Sequence, residues 1–172
     1  MTPVREDLTG QRQLRFHFQG EATPLHLFKH RGESTHQAYL KALAYAFWRE
    51  QGELTFDPAT DYKVTPSLAC LDLTGEVRLW VQVGDLPLDK LEYVLRHSDA
   101  DQVCWVQEMA VGPANVAEFQ AACDALLQRV KRRIHYRYTT KKLCLLIFDK
   151  LEDWFEPDAV ALPEAHYRFI RL

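Results

Sequence analysis

The sequence predicts an α/β domain: a mixed β-sheet with helices on its faces. Three observations predict it. Strand-like and helix-like segments alternate along the chain in the order ββ-α-ββ(β)-α-β-α-β. The first strands come in pairs joined by short turns, which makes an antiparallel start. Residues 143–148, Leu-Cys-Leu-Leu-Ile-Phe, are apolar throughout, as in a strand covered on both faces. The 172 residues are 47% hydrophobic with only seven Gly and eight Pro, which suits one domain spanning 1–172. A domain near this size buries roughly two-thirds of its unfolded surface, enough for a sizeable core. Disorder is expected only in residues 1–12 and around residues 157–163.

Each element has its own signal. In residues 13–18, Leu14, Phe16 and Phe18 alternate with Arg15 and His17, as in a half-buried strand. A turn at residues 20–24 leads to a partner strand at 25–29. A helix is expected over 34–51: Ser34 or Thr35 can cap it, Leu40, Leu43, Ala44 and Phe47 form one stripe, and Gly52 ends it. Residues 54–56 allow a short strand, and 57–66 read as a loop. A second hairpin follows, with strands at 68–73 and 76–83 around Thr74-Gly75. Pro87 suits the first turn of a helix whose stripe is Leu88, Leu91, Val94 and Leu95. Residues 102–106 read as a buried strand. Asn115 is placed to cap a long helix with Val116, Phe119, Cys123, Leu126, Leu127 and Val130 as its core face. A tail strand is expected at 167–170.

Several chemistries are disfavoured. No run approaches the roughly 18 apolar residues of a membrane helix, so no membrane partner is expected. The first seven residues lack the apolar core of a signal peptide, and the cytoplasm is the expected compartment. Cys70, Cys104, Cys123 and Cys144 have no metal-site or redox-motif spacing and read as small buried hydrophobes. His26, His30 and His36 fall across a strand, a loop and a helix start, so no metal site is assigned. No Gly-rich phosphate loop and no His-Glu-x-x-His occurs.

Charge is unevenly placed. The net charge is −3. Between Asp124 and Asp149, however, there is no acidic residue and there are seven basic ones: Arg129, Lys131, Arg132, Arg133, Arg137, Lys141 and Lys142. They bracket Tyr136 and Tyr138. Cations neutralise phosphates and tyrosines can stack on unpaired bases, so a nucleic-acid surface is one reading. A solvated helix end, where cations favour the helix dipole, accounts for Arg129 to Arg133 but leaves Lys141 and Lys142. A protein partner fits the same patch.

From 25 to about 106 the chain resembles the YaeQ family. His30-Arg31-Gly32-Glu33-Ser34 is similar to that family's His-Pro-Ser-Glu-Thr box before its first helix. The resemblance continues through the helix ending near Trp48, Leu54-Thr55-Phe56, the run from Leu71 to Gly84, and Val103-Cys104-Trp105-Val106. It implies a restriction-endonuclease-like fold and descent from PD-(D/E)XK nucleases, which hold Mg²⁺ with carboxylates and activate water against a phosphodiester. The family pattern needs a helix glutamate, a strand aspartate, a second strand carboxylate and a lysine. Carried over, the helix glutamate is Glu33. The strand aspartate falls on Ser67, after Pro66, and the second carboxylate on Gln82. Glu92 and Tyr93 stand where the lysine belongs, and Lys90 is the nearest base.

Hairpin register tests that alignment. If Thr74-Gly75 is a two-residue turn, Leu73 faces Glu76 and Ser67 faces Gln82. Ala69, Leu71, Arg78 and Trp80 then share their face, whereas Asp72 lies with Leu68, Cys70, Val77 and Val81 on the other. Ser and Gln are neutral, and one carboxylate holds Mg²⁺ weakly. The resulting expectation is a catalytically degenerate nuclease-fold protein that needs no cofactor and binds nucleic acid or a protein complex. Two alternatives stand beside it: a divergent Mg²⁺-dependent nuclease using Glu33, and an interaction scaffold with no nucleic-acid contact.

Overall fold

A computed structural model describes residues 10–112, 115–134 and 143–172. Strands β1 (Arg12–Phe16) and β2 (Leu25–Lys29) form a separate antiparallel hairpin. Six more strands form the main sheet in sequence order: β3 (Leu54–Phe56), β4 (Leu68–Leu71), β5 (Val77–Val83), β6 (Gln102–Glu108), β7 (Leu143–Phe148) and β8 (Tyr167–Arg171). The outer pairs β3–β4, β4–β5 and β7–β8 are antiparallel; β5–β6 and β6–β7 are parallel. Parallel neighbours need long crossovers. Helices α2 (Leu88–His97) and α3 (Val116–Arg133) lie in these two connections.

Both faces of the sheet are buried. Helix α1 (Thr35–Trp48) and the β1–β2 hairpin cover one, packing Phe16, Leu27, Leu43 and Trp48 against Leu68, Val81, Cys104 and Leu146. Helices α2 and α3 cover the other, packing Leu91, Leu95, Phe119 and Val130 against Trp80, Val103, Trp105 and Leu145. Every residue of β7 is buried, which is why that strand is uniformly apolar.

Local chemistry sets the helix ends. Ser34 caps α1 with a capping box: Gln37 N donates to Ser34 Oγ at 3.0 Å, and Ser34 N donates to Gln37 Oε1 at 3.0 Å. The expected helix over 34–51 is α-helical to Trp48 and tightens to a 3₁₀ turn at Arg49–Gln51. Gly52 follows at φ +152°, and a Cβ there would come within 2.9 Å of Cys70 Sγ. Asn115 stands at the N-cap position of α3, but its side chain makes no capping bond. Val116, expected in the core, is 61% exposed, because the packed stripe of α3 begins at Phe119.

Three further expectations change. The first strand ends at Phe16 rather than at residue 18, because His17 pairs with the C-terminal segment: His17 N donates to Pro157 O at 2.9 Å and Val160 N donates to His17 O at 2.7 Å. Residues 157–163 are thereby anchored, with Val160 2% exposed, so the disorder expected there is absent. Residues 10–12 are held as well: Lys29 Nζ donates to Gly10 O at 2.9 Å and Arg12 opens β1.

The β4–β5 register matches expectation at one end and departs at the other. Leu68↔Val81, Ala69↔Trp80 and Cys70↔Leu79 are as expected, but Leu71 faces Val77, with a β-bulge between. Leu73 does not face Glu76. It is fully exposed at the tip, and Asp72 N donates to Glu76 O at 2.9 Å. The cause is Asp72, whose Oδ1 accepts from Thr74 N at 2.8 Å, Thr74 Oγ1 at 2.6 Å and Glu76 N at 3.0 Å. Arg78 Nε donates to its Oδ2 at 2.8 Å. The bulge carries Val77 to the α2–α3 face, beside Ala69 and Trp80. The Thr74 hydroxyl, the neighbouring amides and Arg78 hold the Asp72 carboxyl well below the usual range.

Near the start of α1, Glu108 closes the end of β6. It accepts from Leu151 N at 2.9 Å and lies 3.4 Å from His36 Nδ1. His36 Nε2 is 3.8 Å from Glu152. Burial pushes the Glu108 carboxyl above its ordinary value. A raised acid pKa means the folded chain favours protonated Glu108, so this contribution is complete in acid and is lost as pH rises through the raised value. Glu108→Gln is therefore expected to melt higher than wild type at neutral pH and to lose that advantage in acid, as read by thermal unfolding across pH. Ser34→Ala removes the helix cap and is expected to lower stability by about 1 kcal/mol in urea unfolding.

Candidate functional site

The open end of the β3–β4–β5 ribbon meets the β2–α1 corner in a concavity of about 370 Å³. Glu33, Ser67 and Gln82 all line it. Ser67 reaches this place by continuing the β4 register one residue beyond Leu68. Its Oγ accepts from Val83 N at 3.1 Å and lies 3.5 Å from Gln82 Nε2. Gln82 Oε1 in turn accepts from Trp80 Nε1 at 3.3 Å. Ser67 and Gln82 are thus side by side and satisfied by one another and by neighbouring donors.

Two further residues complete the site, and neither was singled out in the sequence. Lys41, on α1, is only 5% exposed. Its Nζ lies 2.6 Å from Glu33 Oε1 and donates to Asp57 Oδ1 at 3.0 Å and Oδ2 at 2.9 Å. An ammonium has three N–H donors, and here three carboxylate oxygens meet it. Glu33 is anchored from behind, because His30 N donates to its Oε2 at 3.0 Å. His30 Nε2 stands 3.1 Å from Asp57 Oδ2. Glu33 does not cap its helix, since Ser34 does; it neutralises Lys41.

Asp57 follows β3, opposite Ser67 by continuation of the β3–β4 register, and its N–H donates to Ser67 O at 3.1 Å. Its φ is +44°, the only positive value at a non-glycine position among the described residues. An L-residue in that region is strained, and Asp tolerates it better than most. Both carboxylate oxygens of this residue are directed onto Lys41.

Lys41 had a legible signal: it is the only Lys, Arg, Asp or Glu within Thr35–Trp48. A lone charge in an apolar helix is expected to have a buried partner. Asp57 had no such signal, because nothing in Phe-Asp-Pro announces a left-handed turn.

The remaining predicted residues lie elsewhere. Lys90 is exposed on α2 and does not line the concavity. Arg129, Lys131, Arg132 and Arg133 are exposed along the C-terminal half of α3. Arg129 and Arg133 line a shallow recess with Leu86, Pro87, Leu88 and Asp89. Arg133 NH1 also pairs with Glu92 Oε2 at 2.8 Å. Arg137, Lys141 and Lys142 lie outside the described residues, as do Tyr136 and Tyr138. His30 and His36 turn to different acids, Asp57 and Glu108.

A Mg²⁺ ion needs hard oxygen donors at about 2.0–2.1 Å in octahedral array. The donor set in the concavity does not fit one: Ser67 and Gln82 are neutral, Glu33 and Asp57 hold an ammonium, and the third carboxylate, Asp85, is not grouped with them. Among the described residues no group of three or more His, Cys, Asp or Glu side chains is placed to hold a metal. Nor is any described helix long and apolar enough to cross a membrane.

No protein-family model matches the sequence, and no curated protein matches it significantly. Solved structures do match in fold. The YaeQ protein from Pseudomonas syringae superposes with a TM-score of 0.58 at 15% identity, covering 95% of this chain and 89% of that one. The YaeQ protein from Xanthomonas axonopodis pv. citri gives 0.53 at 15% identity, covering 88% and 82%. At that identity the likeness is one of fold, and the chain has the α/β architecture of the YaeQ proteins over most of its length.

Proposed function

We propose that this chain is a catalytically degenerate nuclease-fold protein that acts by binding nucleic acid or a protein complex. One observation carries the reading. In the concavity where the YaeQ-like resemblance would set a metal, the two strand positions are the neutral Ser67 and Gln82, and Glu33 is paired with a buried lysine. Metal-assisted hydrolysis needs carboxylates free to hold the ion and to polarise water. Of the carboxylates lining the concavity, Glu33 and Asp57 are taken by Lys41, and the exposed Asp85 is not grouped with them as a metal site among the described residues.

The basic end of α3 is the proposed contact surface. Arg129, Lys131 and Arg132 have no acidic partner among the described residues, and Arg133 shares its charge with Glu92. Arg137, Lys141 and Lys142 follow within nine residues of Arg133 in sequence. A cation run of this kind binds phosphate through counterion release and carries no base-specific readout by itself. The rival is a divergent Mg²⁺-dependent nuclease, and Asp57 favours it to the extent of a second carboxylate beside Glu33.

Incubation with Mg²⁺ or Mn²⁺ and a panel of single- and double-stranded DNA and RNA is expected to give no cleavage. Metal-dependent cleavage abolished by Glu33→Ala would establish the nuclease instead. Fluorescence anisotropy on a single-stranded oligonucleotide tests the surface. Arg129→Glu with Arg132→Glu is expected to weaken binding and to reduce the slope of log K against log salt by about 1.4, from about 0.7 per phosphate contact. Unchanged binding would eliminate this surface. Wild-type chain that shows no salt-dependent binding to any probe would favour the protein-partner scaffold.

A further inference from the structure

Glu33 and Asp57 approach each other from different elements, the β2–α1 corner and the end of β3. Two facing carboxylates with no cation between them would repel. The cation here belongs to the chain: Lys41 Nζ sits 2.6 Å from Glu33 Oε1 and 2.9 and 3.0 Å from the two oxygens of Asp57. These lengths bracket the roughly 2.7–2.9 Å of charge-assisted N–H···O bonds. The backbone is shaped for the contact, since Asp57 holds φ +44° while its carboxylate meets the amine. The amine is also enclosed, with the Lys41 side chain 6% and the Glu33 side chain 10% exposed. Three oxygens from two acids around one buried positive atom are hard donors that a divalent cation could take as part of its shell if the amine were gone, with water completing it. A divalent ion could enter only by displacing Nζ, because two cations cannot share the same three oxygens.

We propose that the Lys41 ammonium is a built-in cation which occupies the Glu33–Asp57 site in place of a divalent metal and closes that site to metals. The inference rests on the degenerate-site reading and extends it: the site is filled, and removal of one amine would open it. Its ligand class is a hard divalent cation, taken only by a chain that lacks the amine. Lys41→Met keeps an unbranched side chain of similar reach and removes the charge. The remaining ligands would be Glu33, Asp57 and water, with Ser67 and Gln82 on the rim.

The probe is Mn²⁺, read by loss of its free electron paramagnetic resonance signal and by thermal unfolding. Wild type is expected to leave the signal and the melting temperature unchanged. Lys41→Met is expected to bind at least about tenfold more tightly than wild type and to melt higher with Mn²⁺ than with chelator. Glu33→Gln added to Lys41→Met is expected to abolish both effects, and it serves as a folded control with one carboxylate fewer. If Lys41→Met does not fold in chelator, refolding with Mn²⁺ restores it under this proposal, and failure to do so overturns it. Folded Lys41→Met that takes no Mn²⁺ overturns it too, as does wild type that binds Mn²⁺ and loses it in Glu33→Gln. None of these readouts involves cleavage. Nuclease activity in the wild type would strike the degenerate reading, whereas Mn²⁺ binding by an inactive wild type would strike only the role given to Lys41.

Discussion

Three parallel strands at the centre of the sheet, β5, β6 and β7, constrain everything else. Parallel neighbours require a crossover at each step, and the crossovers place α2 and α3 together on one face. The other face is covered by α1 and the β1–β2 hairpin, which precede β5, together with Leu151, Trp154, Phe155 and Val160 from the segment after β7. Trp48, Trp80 and Trp105 are all at most 1% exposed, one from a covering helix and two from the central strands. Aromatic residues of that size fix the spacing of the layers, because a packed interior tolerates few voids. The antiparallel strands β3, β4 and β8 extend the sheet on either side of this centre.

That layering delivers a charged helix residue to a strand end. Lys41 lies one turn beyond Gln37 and two beyond the capped start of α1, on the side that overlooks the open end of β3 and β4. Burying a lone ammonium costs several kcal/mol, and burying it against two anchored carboxylates offsets much of that. The cluster therefore ties the β2–α1 corner to the end of β3 by charge, where apolar packing thins out. Its two acids are placed in different ways. Glu33 is set by a backbone hydrogen bond within its own loop, and Asp57 by a left-handed turn together with the hydrogen bond its N–H donates to Ser67 O. The concavity is thus mostly polar, and its buried charges satisfy one another.

The charge of the molecule is divided between two regions of different character. Around the concavity, acids and bases are matched at short range and partly enclosed. Along the last turns of α3 the bases are exposed and, among the described residues, unmatched by acids except where Glu92 meets Arg133. Enclosed pairs are little affected by salt, whereas exposed cations act on distant anions over about 8–10 Å and weaken as salt rises. The first region contributes to internal order, and the second is the exposed surface on which the proposed binding would act.

By itself the sequence determined the elements and most of their order. The capped start of α1, the stripes of α2 and α3 and the apolar β7 follow from contacts three or four residues apart or from strict burial, and these are local rules. The same rules placed Ser67 beside Gln82, because register at that end of the hairpin follows from counting pairs. They failed two residues from the turn, where four hydrogen bonds to Asp72 outweigh the two-residue turn and insert a bulge. Only the tertiary structure brought Lys41 to Glu33 and Asp57. These residues come from a helix, a corner and a strand end, and their meeting depends on how α1 lies across the sheet. A buried ion pair is set by that packing and by the backbone turn at Asp57, and neither leaves a periodic mark in the chain.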